Sequence, residues 1–312
     1  PMMGQYLSMI QNQKPNPTTG AEPDENYARE IMQLFSIGLN QLNLDGSLKI
    51  GSTGFPIPTY SQADIVGLAH VFTGWSYSPA NGEAPNFHWG ARDQFSPMRE
   101  FPAYHDTAQK IILNNTIIPA NLTMSQDLAL ALSAISNHAN VGPFIARQLI
   151  QRFVTSNPSP GYIYRVASVF NNNGTGVRGD FRAVLKTILL DYEARSADLL
   201  TDQAHGKQKE PLLRISHLLR AMNVTAPKPG DDRFYLNLSY VLTSQAALKS
   251  PSVFNFFQPG YIPPGILAAN GLYAPEFQIT SETTVIKQSN AQHELIFWGF
   301  HIGQSDPSGN AY

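Results

Sequence analysis

The first clear periodicity along the chain is Tyr27, Ile31, Leu34 and Phe35, apolar at i, i+4, i+7 and i+8, which predicts an amphipathic helix between Pro23 and Gly38. Asp24 is placed to cap it, acidic residues crowd its positive end, and Gly38 offers the left-handed residue that closes helices. Beside that stripe Asn26, Glu30 and Gln33 form a polar row, and Glu25 sits one turn before Arg29. Helical spacing returns at Ile65, Leu68, Ala69 and Phe72, behind the capping box Ser61-Gln62-Ala63-Asp64, and again from Thr123-Met124-Ser125-Gln126 through Ile135. Val141 to Val154 carries Phe144, Ile145, Leu149 and Phe153 on one side and stops before Asn157-Pro158. Further helices are predicted over Tyr162 to Phe170, after Asp180, around Leu212 to Met222, over Leu236 to Leu248, and from Ser281 or Glu282 to Phe300.

Strict alternation is rare. Leu42 to Ile50 places an Asp45-Gly46 turn between short alternating runs and predicts a small β-hairpin inserted between helices. Residues 76–103 are rich in Pro, Gly, Asn and aromatics and follow neither period; a connection that long is often a binding element. Prolines forbid helix between Phe254 and Gly265. The expected fold is mainly α: a multi-helix globular array with long Pro/Gly/aromatic loops and a small β-hairpin insertion. With no internal repeat and no convincing linker, residues 1–312 read as a single helical domain.

Composition narrows the possible functions. Charged residues make up 14% of the 312 and the formal net charge is −2, so a chain without a basic stripe is a poor candidate for nucleic-acid binding. The absence of cysteine excludes disulfides, thiolate zinc sites and cysteine nucleophiles. No run approaches the roughly 18 uninterrupted apolar residues of a spanning helix. The chain opens on Pro1 without an initiator Met, which suggests a processed or truncated product.

The most chemical-looking cluster is His105-Asp106, with Tyr104 before it and Lys110 downstream. Adjacent His and Asp can both bind a divalent metal, and a carboxylate can fix the tautomer of a His acting as general base. Further ligands would have to come from His70, His88 or Asp127, none at a diagnostic spacing; a loop His and Asp satisfying backbone groups at a turn is the alternative. Asn26, Arg29 and Glu30 form the second candidate. Glu30 could join His105 and Asp106 as a metal ligand, or Glu30 and Arg29 could belong to a buried network that fixes helix geometry. Trp75, in Thr73-Gly74-Trp75, and the aromatics Tyr77, Phe87, His88 and Trp89 could stack on sugar or close as a lid over the core. Walker loop, nucleophile elbow, His-Glu-x-x-His and dinucleotide fingerprint are all missing.

Taken in order, these stretches resemble the successive motifs of the bacterial domain-of-unknown-function 1800 family. The resemblance rests on Asp24 to Glu30 with Gln33-Leu34-Phe35 and Gly38-Leu39, on Phe72-Thr73-Gly74-Trp75, and on His105-Asp106 with Lys110. It continues through Pro143 to Ile150, Thr155 to Pro160, Ile188 to Asp191, Lys209-Glu210-Pro211 and Pro251 to Phe257. Ala108 stands where the pattern usually has Gly, and Ala139 where Pro usually follows His138. The resemblance implies a largely helical bacterial protein, usually exported, often encoded beside a second exported family, and a family domain that normally begins upstream of Pro1.

Three functional expectations follow. The first is a structural or interaction component of an extracytoplasmic complex, in the periplasm, at the surface or secreted, whose partners are other protein subunits, its own N-terminal portion or the co-encoded exported protein. The second is a metal-dependent hydrolase using His105, Asp106 and Glu30. The third is a carbohydrate-binding module built on Trp75 and Trp89.

Overall fold

A computed structural model describes residues 2–225, 244–246 and 249–297. The helix predicted over 236–248, apart from 244–246, and the last turn of the final helix beyond Phe297 lie outside the described residues. The chain is mainly helical, and its strands, among the described residues, form only two-stranded ribbons. It divides into two compact units, one of residues 1–149 and 159–191, the other of residues 150–158 and 192–312.

In the first unit, α1 (Met2–Tyr6) and α2 (Asn26–Gln33) lead into α3 (Gln62–Val71). The capping box of α3 forms as predicted: the Ser61 hydroxyl accepts from the Asp64 N–H while the Asp64 carboxylate accepts from the Ser61 N–H at 2.7 Å. Thr123 and Gln126 make the same reciprocal pair at the start of α4 (Met124–Asn137). Asp180 caps α7 (Phe181–Leu190) by accepting from the Ala183 N–H. Short-range chemistry decided these three starts, so the sequence was enough to find them.

Two helices bury faces other than the expected ones. In α2 the fully buried residues are Ala28 and Met32, whereas Phe35 is 39% exposed. The regular helix ends at Gln33, so Leu34 and Phe35 lie past it in a turn and lose the helical phase. Glu25, not Asp24, holds the N-cap position and makes no side-chain cap; the Asp24 carboxylate accepts from the Asn26 N–H one residue further out. Gly38 does adopt the left-handed conformation. In α5 (Val141–Phe153), Phe153 is 52% exposed and the buried residues, Val141, Gly142, Pro143, Ala146, Ile150 and Gln151, lie off the expected stripe, with small ones at Gly142 and Ala146. A Cβ on Gly142 would come within 3.0 Å of the Asn171 side chain and 3.4 Å of the Ala167 carbonyl, both in α6 (Pro160–Asn171), so close helix approach selects small residues.

The Asp45-Gly46 turn forms, but its ladder has a third limb. Bridges join Leu42 to Leu48, Ile50 to Pro56 and Asn40 to Pro58. Asn140 holds this layer: its side chain donates to the carbonyls of Ile37 and Asn40 and accepts from the Leu42 N–H, at 2.7 to 2.9 Å. Residues 76–103, predicted as irregular, contain two short antiparallel ribbons, β1 (Trp75–Ser76) with β4 (Arg99–Glu100) and β2 (Ser78–Pro79) with β3 (Arg92–Asp93). A third ribbon, β5 (Lys110–Ile112) with β6 (Thr116–Ile118), packs against α3.

The second unit contains α8 (Tyr192–Arg195), α9 (Pro211–Ala221), and helices Ile266–Ala269 and Glu282–Phe297. Its loops are tied by reciprocal polar contacts. Asn157 donates to the Tyr273 carbonyl and accepts from the Tyr273 N–H, and Glu210 pairs with Arg152 while accepting from Gln245. Lys207 pairs with the buried Glu276 at 2.7 Å. Residues 254–265 are turned and non-helical, as their prolines require.

Candidate functional site: a buried His-Lys-Asp centre

Among the described residues, a concentration of buried ionisable groups lies in the first unit, where α3, the 105–108 loop, β5 and the first turn of α4 meet. Thr73, just past the end of α3, organises it. Its hydroxyl donates to the His70 carbonyl at 2.7 Å and accepts from the Asp106 N–H at 2.9 Å. The Thr73 carbonyl faces His105 Nδ1 at 3.0 Å, and a carbonyl can only accept, so Nδ1 carries the proton. His105 Nε2 therefore points its acid-base position at Asp127 Oδ2, 3.1 Å away.

Asp127 Oδ2 also receives Lys110 Nζ at 2.6 Å. The ammonium spends its remaining donors on the carbonyls of Asp106 and Ala108, at 2.5 and 3.0 Å. Sealing is nearly complete, with side-chain exposures of 2% for His105, 3% for Lys110 and 1% for Asp127. Asp127 Oδ1 is buried with no hydrogen-bond partner. Gly74 makes this possible: at φ +86° it turns the chain after Thr73, and a Cβ there would meet His105 and the Met124 side chain at 2.9 to 3.1 Å.

His105 and Asp106, adjacent in sequence, face different partners. His105 turns inward to Asp127, whereas the Asp106 carboxylate pairs with His70 Nδ1 and accepts from the Ala108 N–H. Burial pushes the Asp106 carboxyl up, but the Ala108 N–H, His70 and the Lys110 charge outweigh it and hold the group below the usual carboxylate range. Among the described residues no group of three or more His, Asp or Glu side chains is placed to hold a metal ion.

Asn26, Arg29, Glu30 and Trp75 are not partners in the hydrogen bonds and ion pairs that build this centre. Asn26 is exposed, and Arg29 pairs with Glu25 at 2.9 Å, with Gln62 donating to the same carboxylate. Glu30 is buried beside them, and its Oε2 has no partner. Burial pushes its carboxyl up and Arg29 pulls it part of the way back. The Tyr60 phenol is pushed up by burial and by Glu30, with Arg29 opposing, which places all three in one electrostatic neighbourhood.

A raised carboxyl means that the folded chain holds the Glu30 proton more tightly than the unfolded chain. Stability from this group is therefore full below the ordinary Glu value and is lost as pH rises through the folded value. Glu30→Gln should gain stability relative to wild type as pH is raised from about 4 to about 7, read from urea midpoints at each pH. A midpoint difference independent of pH would rule the effect out.

Trp75 is 7% exposed and its indole N–H has no partner, whereas Trp89 is 78% exposed. His88 packs edge-on to Phe87 and Tyr104, and Phe87 stacks on Tyr104 at 3.9 Å. A shallow depression, open to solvent, lies beside Trp89 and is lined by Tyr77, Asn86, His88 and Arg92, with the Arg92 guanidinium 5.1 Å from the Tyr77 ring centroid.

Sequence reasoning found His105, Asp106 and Lys110 but treated Asp127 only as a spare ligand and Thr73 only as part of an aromatic motif. The available signal for Asp127 was an acidic residue in the first turn behind a capping box, where a helix N-terminus favours negative charge.

The geometry defines a mainly helical protein organised on a buried His-Lys-Asp centre and carrying an aromatic loop on its surface. Residues 1–300 match the family model described as protein of unknown function (DUF1800), and the chain belongs to that family. No curated protein and no solved structure matches it.

Proposed function

We propose that the chain is an extracytoplasmic bacterial binding protein, a component of a surface or periplasmic assembly whose partner is another protein subunit, and that residues 77–98 make the contact. The observation supporting this is where the side chains lie. His105, Lys110 and Asp127 are sealed inside, while Trp89 and Phe95 are 78% and 99% exposed on one loop. Aromatic rings held in water are the residue type that anchors protein interfaces.

The loop is also held in shape. The two ribbons close its base, Asn86 Oδ1 accepts from the N–H groups of His88 and Trp89, Glu83 accepts from the Ala91 N–H, and Asp93 accepts from those of Phe95 and Ser96. A loop ordered before binding loses less conformational entropy when a partner arrives.

The double variant Trp89→Ala/Phe95→Ala should leave thermal unfolding within about 0.5 kcal/mol of wild type, since both rings are exposed. Native mass measurement on envelope extracts should find the wild-type chain within a larger complex and the variant alone. A wild-type chain that runs as a lone monomer would sink the reading.

The depression beside Trp89 supports a second reading, carbohydrate binding, because one exposed ring beside Arg92, Asn86 and His88 offers a stacking face with polar groups around it. Glycan-array binding by wild type that Trp89→Ala abolishes is the result expected on that reading, and a silent array removes it.

A further inference from the structure

We propose that Lys110 and Asp127 are joined by an intramolecular amide bond, formed after folding with His105 as the proton carrier. The observations are the 2.6 Å approach of Lys110 Nζ to Asp127 Oδ2, the burial of both side chains to 3% and 1% exposure, and His105 Nε2 at 3.1 Å from the same oxygen. No substrate could reach these groups. The reaction open to a sealed amine and carboxyl is with each other.

The step balances without any co-reactant. Lys110 first gives one ammonium proton to Asp127 Oδ2, 2.6 Å away; the neutral Nζ then attacks Asp127 Cγ, the C–N bond forms and the Cγ–Oδ2 bond breaks. A second proton then passes from the attacking nitrogen through His105 Nε2 to the departing Oδ2, which leaves as water with the proton it received first. An ammonium and a carboxylate thereby become a neutral amide plus one water, with no net proton taken up or released.

Each neighbour has a place in that sequence. The Thr73 carbonyl keeps the His105 proton on Nδ1, so Nε2 faces the oxygen that leaves. The carbonyls of Asp106 and Ala108 hold Nζ in position from the other side. Fixed proximity of this kind is worth effective molarities of about 10⁵ M or more, and exclusion of water opposes the reverse hydrolysis.

The unpartnered Asp127 Oδ1 points the same way. As a carboxylate oxygen it would bear charge in a dry site with nothing to donate to it, whereas as an amide carbonyl it is neutral and much less costly to bury. In a chain without cysteine the bond would tie β5 to α4 covalently, as no disulfide can.

Intact mass spectrometry of the folded full chain provides the test. The wild type should weigh about 18 Da less than its sequence, the mass of one water, and digestion should yield one branched peptide containing Lys110 and Asp127. Lys110→Arg preserves a cation but cannot condense in this way and should appear at its full sequence mass. His105→Gln, if folded by circular dichroism, should retain the water or lose it far more slowly. A folded wild-type chain at full sequence mass, with Lys110 and Asp127 in separate linear peptides, overturns the proposal.

Discussion

Gly67→Ala should destabilise the chain by about 3 kcal/mol in urea unfolding, at a position where the same change usually helps. Gly67 lies in the interior of α3, and there Ala is ordinarily favoured over Gly by about 1 kcal/mol through backbone entropy alone. In this fold, however, a Cβ on Gly67 would stand 2.1 Å from the Ile111 carbonyl oxygen and 3.1 Å from its carbon. The obstacle is backbone, belonging to β5, and it cannot rotate away as a flexible side chain could.

To accept even a methyl group, α3 and β5 would have to separate. That separation would loosen the packing of Leu68 and Val71 in α3 and of Ile112 in β5, all fully buried. It would also pull Thr73, at the end of α3, away from His105, so any property of the buried centre should be lost together with stability. A Gly67→Ala variant as stable as wild type would show that the two elements are not packed this closely.

Asp127→Ala is the second large effect: a loss of about 3 to 5 kcal/mol, measured by denaturant unfolding. The substitution removes the side chain that meets His105 and that Lys110 pairs with or is joined to, and it leaves an ammonium inside a site with 3% side-chain exposure. Most of the cost comes from that stranded charge, because breaking a buried pair is far worse than never having one. The double variant Lys110→Met/Asp127→Ala should therefore recover a substantial part of the loss. If the single variant cost less than about 1 kcal/mol, the centre would be solvated and the sealed geometry wrong.

These two positions illustrate different limits of the sequence. Gly67 carries no signal at all: a glycine within a helical pattern reads as a small propensity penalty, and only the backbone of a strand more than 40 positions later explains it. His105, Asp106 and Lys110 were legible as a cluster because chemically distinctive residues fell close together. Their division into His105–Asp127 and Asp106–His70 was not, since neighbouring residues in a turn can face opposite ways and the partners come from α3 and α4.

The aromatic stretch was legible as a long irregular segment and as a cluster of rings. Which rings would be covered depended on the ribbons: Trp75 in β1 is turned inward, while Trp89 between β2 and β3 is left outside. Glu30 was visible as a polar residue beside an apolar stripe, but its burial follows from the packing of α2 on α3, which inverted the expected order of covered positions.

By itself, then, the sequence determined the mainly helical class, the starts of α3, α4 and α7 and the Asp45-Gly46 turn. It also determined membership of the DUF1800 family, read from an ordered series of motifs and matched over residues 1–300. These are products of local hydrogen bonding, helical period and motif order, which a linear string records. Tertiary structure alone decided which face of each helix was buried, which carboxylate His105 would meet and which aromatic ring would stay in water. Each of these depends on a partner brought from far along the chain, and the free energy of the contact exists only once that partner has arrived.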